Sequence, residues 1–102
     1  MPIPSPRTAA RRRVASAPSV LVTLDPSAAA PLYQQVYEQL RHGALTGRLA
    51  AGAQLPSSRL LAVELGLSRT TVAVAYDQLR AEGYLEMRPR GGTFVARVLP
   101  ER

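Results

Sequence analysis

The sequence predicts an α+β chain, mostly α, with three helices followed by a C-terminal β-hairpin. Apolar residues recur at helical spacing in three segments between residues 31 and 82. Each segment runs into a glycine: Gly47, Gly66 and Gly83. After Gly83 the apolar period shortens toward two, on either side of a turn rich in Pro and Gly.

Composition narrows the classes. The chain has 102 residues, about one domain's worth. It has no cysteine, which excludes disulfides, a thiolate zinc site and a cysteine nucleophile. A single histidine, His42, builds no metal cluster by itself. The apolar runs fall far short of the ~20 residues of a membrane span. All 13 basic residues are arginine, against 7 acids, for a formal net charge of +6. The absence of lysine reads first as genome composition. Arginine nevertheless offers a flat, permanently charged fork suited to phosphates and guanine edges.

Residues 1–24 form one block, with Arg7, Arg11, Arg12 and Arg13, four prolines and no acid. This block is expected to be disordered. It fits a solvated tail, a basic arm that adds non-specific attraction to a polyanion, or an Arg-rich transit peptide. The short apolar run from Val20 to Leu24 can lie against the folded part. Residues 25–98 are expected to be that folded part, and 99–102 the start of a linker or a free C-terminus. Beyond the tail, nine arginines meet seven acids, so charge alone argues weakly for a nucleic acid. Pattern has to carry the argument.

The first helix is predicted over Pro31 to Thr46. Pro31 suits a first helical position, where its missing N–H costs nothing. Leu32, Val36, Leu40 and Ala44 repeat every four residues, with Tyr33, Tyr37 and Leu45 beside them, and make one buried stripe. The tyrosines are expected to pack in the core with their hydroxyls at the rim. Gly47 ends the helix. The following loop has apolar anchors at Leu49 and Leu55, and Gln54-Leu55 can form a short strand.

The second helix starts after Pro56 with Ser57 as its N-cap. Leu60, Leu61 and Leu65 are expected to form its apolar face, and Gly66 to end it as a left-handed residue. Ser68 then caps a third helix, Arg69 to Glu82, whose buried stripe is Val72, Ala75, Tyr76 and Leu79. Gly83 closes it with the same chemistry. Two helices joined by Gly66-Leu67-Ser68 match a helix-turn-helix. The third helix exposes Arg69, Thr70, Ala73, Asp77 and Arg80 opposite its stripe. Its first turn, Ser68 to Thr71, is dense in hydrogen-bonding groups at a helix end that favours phosphate. A recognition helix presents itself to a major groove in this way.

Tyr84 to Arg88 and Thr93 to Ala96 are the hairpin strands, joined by the turn Pro89-Arg90-Gly91-Gly92. A hairpin directly after a recognition helix is a wing. Arg88 and Arg90 flank its tip, where they either meet a minor groove or phosphates or are simply solvated.

Several runs, in order and spacing, resemble the GntR family of bacterial repressors. They are Leu55-Pro56-Ser57-Ser58-Arg59, Leu61-Ala62, Glu64 to Val72, Ala75-Tyr76, Leu79 to Leu85 and Gly92-Thr93-Phe94-Val95. With Pro31-Leu32-Tyr33 opening the first helix, the chain is especially similar to the MocR branch. The resemblance covers about Pro31 to Ala96. It implies a winged helix-turn-helix and sequence-specific binding of double-stranded DNA in transcription control. It also implies roles for single residues: Arg59 contacts DNA, Arg69 reads a base, and Ser68, Thr70 and Thr71 lie near phosphates. Arg88, Arg90, Gly91 and Gly92 complete the candidate set at the wing. Two positions depart from the family pattern. Ala73 stands where an arginine is frequent, so that contact is missing. Arg90 stands where the wing tip has the first glycine of Gly-x-Gly-Thr-Phe, so the turn is expected to shift its strained positions onto Gly91 and Gly92.

MocR-type proteins continue into an aminotransferase-like domain that binds pyridoxal phosphate. This sequence stops at Leu99-Pro100-Glu101-Arg102, where such a linker would begin, and it holds no lysine for that cofactor. An isolated domain and a shortened gene both stay open, and no cofactor is assigned. The expected protein is a bacterial transcription regulator of the cytoplasm, at the nucleoid. It needs no metal or membrane; family members usually bind two-fold DNA sites as dimers, so a homodimer on DNA stays open, with dimerisation expected to rest largely on the aminotransferase-like domain. The rival reading is a winged-helix module for a protein partner. Catalysis is not expected. Glu38, Glu64, Asp77, Glu82, Glu86 and Glu101 show no acid/base or metal-ligand clustering and read as surface charges or helix ion pairs such as Asp77 with Arg80.

Overall fold

A computed structural model describes residues 22–89 and 91–100. The basic stretch before Val22, Arg90 and residues 101–102 lie outside the described residues. The elements are α1 (Leu32–Thr46), β1 (Gln54–Leu55), α2 (Ser58–Leu65), α3 (Arg69–Ala81), β2 (Leu85–Arg88) and β3 (Gly92–Val95).

α1 buries Val36, Leu40 and Ala44, as the four-residue spacing predicts, with Gly43 beside them, while Leu32 of the expected stripe is only partly buried. Pro31 stands one place earlier than expected. It is the N-cap, with extended backbone at ψ 155°, and its carbonyl accepts from the amides of Gln34 and Gln35 at 3.0 and 3.1 Å. Tyr33 is 40% exposed rather than packed in the core; on the first turn of α1 it lies beside Thr70, Thr71 and Val74 of α3, away from that helix's buried stripe.

The segment before α1 belongs to the fold. Gln39 accepts from the Thr23 amide at 2.8 Å and donates to its carbonyl at 2.7 Å. Gln35 does the same for Asp25, at 2.8 and 3.0 Å, and also donates to the Ala30 carbonyl at 2.9 Å. Four helical residues rise about 6 Å, and two extended residues advance about 6.6 Å. Glutamines one turn apart can therefore pair with alternate residues of an extended chain, as a neighbouring strand would. Val22 is 4% exposed, within the core. The folded part thus begins by Val22, slightly before the boundary that composition suggested.

α2 starts at Ser58 because the Ser57 hydroxyl accepts the Leu60 amide at 3.1 Å. It ends at Gly66, at φ 72°, where the amides of Gly66 and Leu67 return to the carbonyls of Val63 and Ala62. Leu61 and Ala62 are buried, but Leu60 is 43% exposed and leaves the expected apolar face. Neighbours on a helix point about 100° apart, and α3 covers only the Leu61 side. α3 buries Val72, Ala75, Tyr76 and Leu79 as predicted. Glu82 caps it, and Gly83 (φ 93°) turns the chain so that the Tyr84 amide reaches the Leu79 carbonyl at 2.9 Å. Leu61, Leu79, Val36, Val72 and Val95 are the largest fully buried side chains and join all three helices to the sheet.

The hairpin forms, and β1 adds to it. The sheet has three antiparallel strands in the order β1-β3-β2. Gln54, Phe94 and Glu86 stand in one row across it, and Arg88 stands opposite Gly92 two rows on. Leu55, Thr93, Leu85 and Val95 point to the other, buried face.

Candidate nucleic-acid interface

The first turn of α3 holds four of the candidate residues. Ser68 caps the helix by accepting the Thr71 amide at 3.1 Å, and its hydroxyl lies 2.8 Å from that of Thr71. Arg69 and Thr70 are exposed, and no hydrogen bond or ion pair engages their side chains among the described residues. Arg59 is exposed on the first turn of α2. A capped helix N-terminus with a free arginine beside it suits an anion, because the helix dipole and the guanidinium act with the same sign.

Further along α3, Ala73, Asp77 and Arg80 face the wing. With Ser58, Met87 and Thr93 they line a cleft of about 360 Å³ between α3, the start of α2 and the sheet. Asp77 and Arg80 form the expected ion pair at 3.4 Å, both well exposed, which contributes little to stability. Met87 is half-exposed, and its sulfur accepts from the Thr93 hydroxyl at 3.2 Å. Tyr76 reaches across α2's entry to donate to the Pro56 carbonyl at 2.8 Å.

The wing residues are held by one another. Arg88 stacks its guanidinium 4.0 Å from the centre of the Phe94 ring and pairs with Glu86 at 3.5 Å. The Gly91 amide returns to the Arg88 carbonyl at 3.3 Å. A Cβ on Gly91 would stand 2.9 Å from the Phe94 ring, so a side chain there would push the ring out of its place. Gly92 takes the left-handed conformation at φ 93°. Gln54, on β1, donates to the Gly91 carbonyl at 2.6 Å. Sequence reasoning did not single out Gln54 or Phe94 as site residues. The Gln54-Leu55 strand was foreseeable, but its partner strand was not, and only the register places Gln54 beside the wing tip. Of the two glycines expected to take the strained positions, Gly92 does and Gly91 does not, while Arg90 itself lies outside the described residues.

A separate polar cluster joins α1 to the far end of α3. The Tyr37 hydroxyl donates to the Glu82 carboxylate, which pushes the phenol pKa up to about 12. Arg41 donates to the Tyr84 hydroxyl at 3.2 Å and lies 5.5 Å over its ring. None of these groups belongs to the Ser68 to Thr71 turn.

Residues 32–95 match the bacterial regulatory proteins of the gntR family. The chain belongs to that family. Among curated relatives it is 47% identical over 81 residues to the probable rhizopine catabolism regulatory protein MocR of Rhizobium meliloti, covering 79% of this chain and 16% of that one. The chain thus spans about a sixth of that relative's length. Among solved structures it is 30% identical to YtrA from Sulfolobus acidocaldarius, a GntR-family transcription factor, with a TM-score of 0.71 over 78% of this chain and 83% of that one. The DNA-binding domain of AraR, solved in complex with operator ORX1, is 30% identical with a TM-score of 0.62, over 72% of this chain and 92% of that one. The winged fold expected from the sequence is therefore the family's fold, and membership places residues 32–95 among bacterial regulatory proteins.

Proposed function

We propose that this domain binds double-stranded DNA sequence-specifically and thereby regulates transcription. α3 enters the major groove by its N-terminus, and the β2–β3 wing lies against the adjacent minor groove. The observation that carries this reading is the unengaged pair Arg69 and Thr70 on the capped first turn of α3, on a fold shared with a domain solved on its operator. Arg69 reads a guanine edge, since its fork matches the O6 and N7 acceptors. Ser68, Thr70, Thr71 and Arg59 hold phosphates and fix register. Arg88, Arg90, Gly91 and Gly92 approach the minor groove. A protein partner would instead favour apolar side chains on the Ser68 to Thr71 turn, and all four are polar.

One such module covers a half-site, so two copies bind a two-fold operator as a homodimer on DNA, in the bacterial cytoplasm at the nucleoid. Selection of bound sequences from random DNA tests the proposal. The expected result is a two-fold motif with half-sites about one helical turn apart, or a multiple of it. Recovery of no motif at low salt would overturn it.

A further inference from the structure

We infer that Gln54 is a positioning residue for the wing, one that sets the wing tip for its approach to the minor groove. The inference rests on the proposal that the wing meets DNA there. Gln54 lies on β1, outside the hairpin, yet its amide Nε2 donates to the Gly91 carbonyl at 2.6 Å. That carbonyl belongs to the turn and takes no part in the β2–β3 ladder. A two-stranded hairpin by itself is marginally stable and free to splay. Here a third strand reaches over and fastens its tip.

The neighbouring groups act in the same direction. Gly91 lies so close under the Phe94 ring that a Cβ would stand 2.9 Å from it, and a Cβ on Gly92 would stand 3.3 Å from the Gln54 nitrogen. Phe94 shares the cross-strand row with Gln54, and its ring carries the Arg88 guanidinium at 4.0 Å. The Gln54 amide and the Phe94–Arg88 stack thus both bear on the turn, from the same face of the sheet. A tip ordered before binding has less conformational entropy to lose on DNA than a mobile one. The residue type matters because the contact is a donated hydrogen bond to a carbonyl. Methionine, similar in length and uncharged, fills the same space and donates nothing.

The test compares the intact chain with Gln54→Met on DNA carrying the selected motif, by hydroxyl-radical footprinting and titration. In the unmodified protein the backbone beside the central site and the flanking minor groove should both be protected. Gln54→Met should keep the central footprint, lower the melting temperature by no more than the loss of one exposed hydrogen bond does, lose flank protection, and bind about two- to tenfold more weakly. NMR relaxation at the Gly91 and Gly92 amides should report a more mobile tip, with α3 unchanged. If the unmodified protein leaves the flank unprotected, the wing does not meet DNA and the inference falls with that reading. If the flank is protected equally in both proteins, the inference alone is wrong. A merely structural role would instead lower the melting temperature further and weaken both footprints together, which also overturns it.

Discussion

The Ser68 hydroxyl accepts the Thr71 amide at 3.1 Å and lies 2.8 Å from the Thr71 hydroxyl. Two residues proposed to meet phosphates are therefore already tied together at the end of α3. One hydrogen bond between two hydroxyls uses one of their two protons. The other proton remains to donate to a phosphate oxygen. Ser68→Ala should cost about 1 kcal/mol of stability, as loss of an N-cap does, and weaken binding to all DNA sequences alike. Ser68→Asp should keep the cap and the stability but repel phosphate. Urea unfolding beside DNA titration separates the two effects, and an Asp variant that binds as well as the parent would contradict the phosphate role.

Gln35 and Gln39 should act as the anchors of the segment before α1. Gln39→Ala removes both bonds to Thr23. These bonds are solvent-exposed, so the cost should stay within about 1 kcal/mol each. Hydrogen exchange at the Thr23 amide should speed up markedly, while amides of Val72 and Leu79 keep their protection. Uniform loss of protection would mean that the segment unfolds only with the whole domain.

Alkaline pH should destabilise the domain. The Tyr37 phenol is pushed up to about 12 by its bond to Glu82, and burial raises Tyr76 as well. A folded state that keeps protons which the unfolded chain sheds near pH 10 loses stability as pH rises. Melting temperature should be flat from about pH 7 to 9 and fall above about 10. Tyr37→Phe should soften that fall, and an unchanged profile in Tyr37→Phe would exclude the Tyr37–Glu82 contribution.

Local chemistry made much of this architecture legible. Ser57 and Ser68 cap helices, and Gly47, Gly66 and Gly83 end them, because these preferences act within one turn of chain. The buried stripe of α3, and that of α1 from Val36 onward, follow from spacing alone. What could not be read depends on partners distant in sequence. Leu60 and Leu61 are equally apolar, and only the placement of α3 decides that Leu61 is buried. Gln35 and Gln39 look like ordinary surface residues until the chain from Val22 to Asp25 lies along them. At the site, the exposed Arg69 and Thr70 were legible from helix phase. The fastening of the wing by Gln54 was not, because it depends on which strand β1 joins.

The basic tail should contribute affinity without sequence preference. Arg7, Arg11, Arg12 and Arg13 carry its charge, with no acid among residues 1–24. Deleting residues 1–19 should weaken binding to every DNA alike and reduce the salt slope by up to ~0.9 for each phosphate that the tail neutralises. An identical slope with and without the tail would show that it takes no part in binding.

The central claim is that α3 reads sequence through its first turn, and Arg69 tests it most directly. Binding of the parent and Arg69→Ala is to be measured at one salt concentration, on the selected site, on the same site with each base pair changed in turn, and on random DNA. Arg69→Ala should lose ~1–3 kcal/mol on the selected site, flatten discrimination at one base pair, and lose less on random DNA. An equal loss on selected and random DNA, with discrimination intact at every position, would make Arg69 a phosphate contact and contradict the account.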